Sequence, residues 1–197
     1  MPIVTSSRPP SSQPSIGWLE GLSHSPSPFF NLRPPNTLVD LVVIHGISLP
    51  KGQFGSPHIR DLFLGRLNTE EPGLEDLAGL EVSAHFVIDR RGLVEQFVSI
   101  NDRAWHAGLS AFRGRENCND FSIGIELEGA DEVPYEPAQY ESLAALLGTL
   151  RQHLPTLTDL AGHSDISPGR KSDPGPAFDW GELAKRIGRE GLCFKLP

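Results

Sequence analysis

Residues 37–46 read TLVDLVVIHG, and Leu38, Leu41, Val42, Val43 and Ile44 make a nearly continuous apolar run that ends at Gly46. A short, β-branched run that is apolar at consecutive positions is the pattern of a strand buried on both faces, at the centre of a sheet. The run delivers His45 to the tip of that strand.

Working outward, Phe121 to Leu127 reads as another buried strand, with Ile123, Ile125 and Leu127 apolar and Glu126 and Glu128 embedded among them. Val82 to Asp89 and Leu93 to Val98 read as a hairpin turning at Arg90-Arg91-Gly92. Pro137 to His153 carries Tyr140, Leu143, Ala144, Leu147 and Leu150 at spacings of three and four, the signature of a helix packed on a sheet. Leu160 to Gly162 reads as a short strand leading into His163, and Asp179 to Arg189 as a closing helix. In the Gly- and Pro-rich stretch 46–80, Ser56 to Leu64 is the one plausible helix, with Ser56 as N-cap and Pro57 at its first position. Ser25 to Asn36 is expected to cross the surface in extended form, anchored by Phe29, Phe30 and Leu32, and the Ser/Pro-rich residues 1–15 to form a flexible tail. The sum is a single α/β (α+β) domain, residues 16–197, with a central mixed sheet flanked by helices.

Composition narrows the function classes. A formal charge of −8 lacks the basic surface on which unspecific nucleic-acid binding rests, so no nucleic-acid partner is expected. No apolar run approaches membrane-spanning length and the N-terminus has no basic start followed by an apolar stretch, so no membrane partner is expected and a cytoplasmic location is the default. The two cysteines, Cys118 and Cys193, form no CxxC pattern and read as free thiols.

Of seven histidines, His45 and His163 each follow a strand-like run. Two imidazoles and a carboxylate suffice for a zinc site that keeps an open position for water, and Asp173 in HSDISPGRKSDPGP is the natural carboxylate. Glu126 is notable because a carboxylate inside a buried strand is costly unless it is paired or used. Lys171 stands two residues before Asp173, so an extended segment sends both side chains the same way, where a cation could face a developing oxyanion.

The strings VVIHGISLP (42–50), VSAHFVIDRRG (82–92), RAWHAG (103–108), CNDFSIGIELEG (118–129) and AGHSDISPGRKSDPGPAFDW (161–180) resemble the zinc N-acetylmuramoyl-L-alanine amidases, in particular the AmpD branch, from about Gly17 to Trp180. That resemblance implies the fold of the zinc amidases and peptidoglycan-recognition proteins, with the metal in an open groove. It implies Zn2+ as cofactor, with His45, His163 and Asp173 as ligands, Glu126 as general base and Lys171 as the residue that stabilises the transition state. The implied reaction is hydrolysis of the amide joining the lactyl group of 1,6-anhydro-N-acetylmuramic acid to L-alanine in cytosolic muropeptides, by a monomer serving peptidoglycan recycling. In the family this recycling is linked to β-lactamase induction.

Related phage lysozymes and recognition-protein amidases carry a tyrosine where this chain has Ala84, which favours the AmpD branch. Gly46 replaces a common Asn, and Glu81 and Asn117 stand where close relatives carry arginines, departures that bear on stem-peptide preference. Trp105, His106 and Gly46 are expected to contact substrate, and His85 to be structural or to support a ligand. Two other readings stay open: a muropeptide-binding module that does not cut, and a periplasmic amidase acting on intact wall.

Overall fold

A computed structural model of the protein describes residues 17–197. The expected tail, 1–15, lies outside the described residues. At the centre is a strand, β3 (Leu41–Ile47), flanked in space by β9 (Ser122–Glu128) and β10 (Asp159–Gly162), both parallel to it. On the far side of β9 come β4 (Phe86–Ile88), parallel to β9, then β5 (Val94–Gln96), antiparallel to β4, and the two-residue β1 (Ser23–His24) at the edge. The order β1-β5-β4-β9-β3-β10 is a six-stranded mixed sheet, as the sequence reading expected.

Side chains alternate across a strand, so β3 divides its residues between two layers. Val42 and Ile44 join the core built with α2 (Pro137–His153), while Leu41 and Val43 pack against Ala107, Cys118 and Phe121 on the opposite face. His45 continues that second face, away from α2. The long helix occupies the limits that its sequence predicts. Pro137 opens it, Gln139 Oε1 accepts from the Glu136 amide at 3.0 Å, and Tyr140, Leu143, Leu147 and Leu150 are buried towards the sheet. Each such leucine contributes roughly 1.5–3 kcal/mol by leaving water. The closing helix α4 (Trp180–Arg189) begins one residue later than expected because Asp179 is its N-cap, accepting from the Glu182 amide at 2.8 Å.

The other face is covered by α1 (His58–Phe63) and by short elements: a pair β2 (Phe30–Leu32) with β6 (Asp102–Ala104), and the hairpin β7 (Ala111–Phe112) with β8 (Arg115–Glu116). Helix α1 is shorter than expected and has Pro57 as its N-cap; Ser56, one residue before it, donates to the Leu49 carbonyl at 2.8 Å and accepts from the His58 amide at 3.4 Å. The hairpin expected at 82–98 exists, but its ladder is confined to Phe86–Ile88 and Val94–Gln96.

One expectation fails. Phe30 and Leu32 do not anchor the segment 25–36, being 43% and 79% exposed. Of the expected anchors only Phe29 packs, half-buried on Trp105; the others are polar: Ser25 and Ser27 are buried, and the Arg33 guanidinium donates to the carbonyls of Asn119, Asp120 and Ser122 at 3.1, 2.8 and 2.9 Å. Burial pushes Arg33 down to about 10, still a cation at neutral pH, and the carbonyls ahead of β9 supply the negative ends it needs. Arg33→Met leaves these acceptors without a donor. It is expected to cost roughly 1–3 kcal/mol in urea unfolding; an unchanged midpoint would show that the clamp carries no stability.

Candidate metal centre

Two parallel registers assemble the site. His45 lies opposite Glu126 of β9, and Gly162 of β10 lies opposite Ile44, so His163 emerges one residue beyond the strand at the level of His45. His163 begins the short helix α3 (His163–Ile166), and the chain then loops back through Arg170 and Lys171 to Asp173. The Ser164 amide donates to the Asp173 carbonyl at 2.9 Å, and the Tyr135 hydroxyl donates to the Pro174 carbonyl at 2.9 Å, tying both ends of the returning segment.

Three donor atoms meet there. His45 Nδ1 and His163 Nδ1 are 3.0 Å apart, and Asp173 Oδ2 is 3.3 Å from the first and 3.1 Å from the second. Ligands held about 2.0–2.2 Å from one tetrahedral ion stand roughly 3.3 Å apart, so this near-equilateral triangle suits such an ion with adjustments of a few tenths of an ångström. Among the described residues it is the one group of three such side chains close enough to hold a metal. Both imidazoles are buried, 1% exposed for His45 and 4% for His163. Burial first, and then the neighbouring His163, push His45 down to about 4 despite the hydrogen bond to Asp173, so the ring is neutral and able to ligate. Burial alone would raise Asp173; its hydrogen bonds to His163 and His45 prevail and hold it well below the usual carboxylate range. A carboxylate and two imidazoles are what a divalent ion of zinc's type takes.

Glu126 shares the face of His45. Its Oε2 is buried without a hydrogen-bond partner, and burial, reinforced by the charge on Asp173, pushes its carboxyl well above the ordinary value. Lys171 opposes that rise and lines, with Gly46, Ile47, Lys51, Asp131 and Asp173, a cleft of about 300 Å³. A larger cavity, about 680 Å³, lies past Glu128 beneath Phe54 and Arg60, but none of the three donors borders it, and the chemistry marks the smaller cleft as the site.

The residues expected to touch substrate separate. Gly46 does line the cleft, its α-carbon so close to Tyr135 that a Cβ would stand 2.2 Å from the phenol oxygen. Trp105 is half-buried, stacks on Phe29 at 6.2 Å, and commits its indole N–H to Asn31 Oδ1 at 2.8 Å. His106 was expected along the groove; it is buried behind His45, its Nδ1 2.9 Å from His45 Nε2. His85 is structural: Nδ1 accepts from the Gly124 amide at 3.0 Å, which leaves Nε2–H to donate to the Asp102 carbonyl at 3.1 Å. Ala84 is fully buried in the layer under α1, and Asn117 sits at φ 58°, a left-handed position that asparagine tolerates. Sequence reasoning passed over Tyr135, Asn119 and Arg170. Glycine at position 124, inside an otherwise apolar strand, was the available signal that another group approaches the sheet closely there.

Known proteins resemble this chain in sequence and in fold. The sequence profile described as N-acetylmuramoyl-L-alanine amidase matches residues 35–176. The chain is 52% identical over 166 residues to the 1,6-anhydro-N-acetylmuramyl-L-alanine amidase AmpD of Enterobacter cloacae, covering 83% of this chain and 89% of the relative. It is 48% identical over 176 residues to AmpD of Escherichia coli K12, covering 88% and 96%. The crystal structure of a selenomethionine AmpD derivative superposes with a TM-score of 0.84 at 46% identity, over 88% of this chain and 98% of that one. The amidase AmiD of E. coli, complexed with anhydro-N-acetylmuramic acid-L-Ala-D-γ-Glu-L-Lys, is similar at TM-score 0.54 and 28% identity, over 82% and 61%.

An orphaned carboxyl should be visible in stability. A group raised in the folded state favours folding while protonated and opposes it once pH climbs past the unfolded value, about 4.3 for Glu. In metal-free protein, Glu126→Gln is therefore expected to melt at the wild-type temperature near pH 3. The variant should melt several degrees higher at pH 8, with the gain growing through the intervening range. Equal melting at both pH values would mean that Glu126 is solvated.

Proposed function

Because the chain belongs to the N-acetylmuramoyl-L-alanine amidase family, we propose that it is a zinc enzyme that hydrolyses the amide between the lactyl group of 1,6-anhydro-N-acetylmuramic acid and L-alanine in muropeptides. The observation that carries the reading is the donor triangle of His45, His163 and Asp173 with the partnerless Glu126 Oε2 on the same sheet face as His45. These three side chains would hold the ion. Zinc bound there supplies a Lewis acid that makes a water acidic near neutral pH and polarises the scissile carbonyl.

The chain's own groups do the rest. Glu126 Oε2 has no competing donor, so it is free to take the proton of the attacking water. Its raised affinity for protons then suits it to return that proton to the departing L-alanine nitrogen, which could not leave as an anion. Lys171, exposed at the cleft wall beside Asp173, brings its ammonium to the carbonyl oxygen as that oxygen gains charge. The Gly46 backbone forms part of the wall along which the substrate lies. The free thiols Cys118 and Cys193 suit a reducing compartment, and we read the enzyme as a cytosolic monomer acting on wall fragments during recycling.

Purified protein loaded with one zinc should release tripeptide from anhydro-muramyl-tripeptide, as followed by liquid chromatography and mass spectrometry, and should lose the activity on chelation and regain it with zinc. A fully loaded chain that leaves this substrate intact would overturn the assignment. Lys171→Met is expected to lower kcat by roughly 10²–10³ with zinc content unchanged; an undiminished kcat would return Lys171 to the role of a solvated surface cation.

A further inference from the structure

The segments RAWHAG and CNDFSIG meet behind the metal centre, and nothing in the proposed reaction uses them. Asn119 Oδ1 accepts from two successive amides, those of His106 at 3.1 Å and Ala107 at 2.8 Å, and so fixes the backbone of the loop 105–107. From that loop two groups reach the two histidine ligands. The His106 ring meets His45 Nε2, and the Ala107 carbonyl meets His163 Nε2 at 3.1 Å.

The direction of each hydrogen bond can be worked out from the far end. Ser122 Oγ gives its one proton to the Cys118 carbonyl at 2.6 Å, so towards His106 Nε2, 3.2 Å away, it can only accept. His106 therefore carries its proton on Nε2, and its Nδ1 is a lone pair. That lone pair calls for a proton on His45 Nε2, and once an ion takes the place of the ring's contact with Asp173, His45 Nδ1 is bare and faces that ion. For His163, Nδ1 lies 3.1 Å from Asp173 Oδ2 and Nε2 3.1 Å from the Ala107 carbonyl; when Nδ1 gives its lone pair to an ion in the triangle, the proton sits on Nε2 and points at Ala107 O. Arg170 Nη2 donates to the same carbonyl at 2.6 Å and to Leu109 O at 2.8 Å, holding the far side of the loop. Gly124 completes the arrangement: a Cβ there would stand 2.4 Å from His106 Cγ, so the ring reaches His45 only over a strand residue with no side chain.

We propose that the loop 105–107, pinned by Asn119, is a positioning device in which the His106 imidazole and the Ala107 carbonyl set His45 and His163 to the tautomers that present Nδ1 to the metal. His106 is thus a positioning residue and not a groove contact. Outer partners of this kind orient a ligand ring and raise its basicity, and losing one typically weakens metal binding roughly 10–100-fold. This inference rests on the metal reading above.

The test uses the full chain and zinc itself. Long-range 1H–15N correlation of the zinc-loaded wild type should show both His45 and His163 protonated at Nε2 and bound through Nδ1. Competition against a chromophoric chelator should give His106→Phe a zinc affinity roughly 10–100-fold below wild type, and His106→Asn, whose Oδ1 can stand in for Nδ1 as acceptor, an affinity within about threefold of it. His45 bound through Nε2, His106→Phe binding as tightly as wild type, or His106→Asn as weak as His106→Phe would each overturn the positioning role. Should His106→Phe fail to fold, the tautomers of the wild type decide. A wild-type chain that takes up no zinc would instead sink the metal assignment, and the inference with it.

Discussion

The parallel pairing of β3 with β9 on one side and β10 on the other is the constraint on which the rest depends. Those two registers put Glu126, His45 and His163 on three neighbouring strand tips, about 4.8 Å from one strand to the next. A slip of one residue in either pairing would turn a functional side chain to the opposite face, into the apolar layer beneath α2. The registers are enforced by burial: Val42, Ile44, Ile123, Ile125 and Leu160 all enter one core, and none can leave it without exposing apolar surface. Asp173 is added by a returning segment instead of a strand, which is why Tyr135 and Ser164 are needed to tie it.

The site concentrates groups whose ordinary protonation the protein opposes. His45, His85 and His106 are all held neutral by burial, Asp173 is held ionised by its two imidazole partners, and the Glu126 carboxyl is pushed well above its ordinary value by burial and by the charge on Asp173. Two carboxyls on one sheet face with opposite tendencies is a division of labour: one suits a fixed charge, the other a moving proton. The cost of burying these groups is met elsewhere, by the sheet core and by α2.

Much of this was legible in the sequence because local pattern and tertiary role coincide. The consecutive apolar run ending at His45 and the 3.6-residue periodicity of 137–153 each specify an element without reference to distant partners. The metal-ligand set was suggested by position in those elements and named by family resemblance. What was not legible depends on partners far along the chain. Ser23–His24 has no strand signature and pairs only because the edge of β5 is free. The segment 25–36 is held by Arg33 at carbonyls some 85 residues away, whereas Phe30 and Leu32 face solvent. His106 next to Trp105 looked like a groove pair; nothing local says that one ring turns inward onto His45 and the other onto Asn31.

The account stands on three protein donors converging on one ion, and X-ray absorption at the zinc edge of the loaded protein reads that arrangement directly. It should show four light-atom neighbours at about 2.0–2.2 Å, with the outer-shell scattering of two imidazoles and no sulfur. A sulfur neighbour near 2.3 Å, or a shell without imidazole scattering, would contradict it.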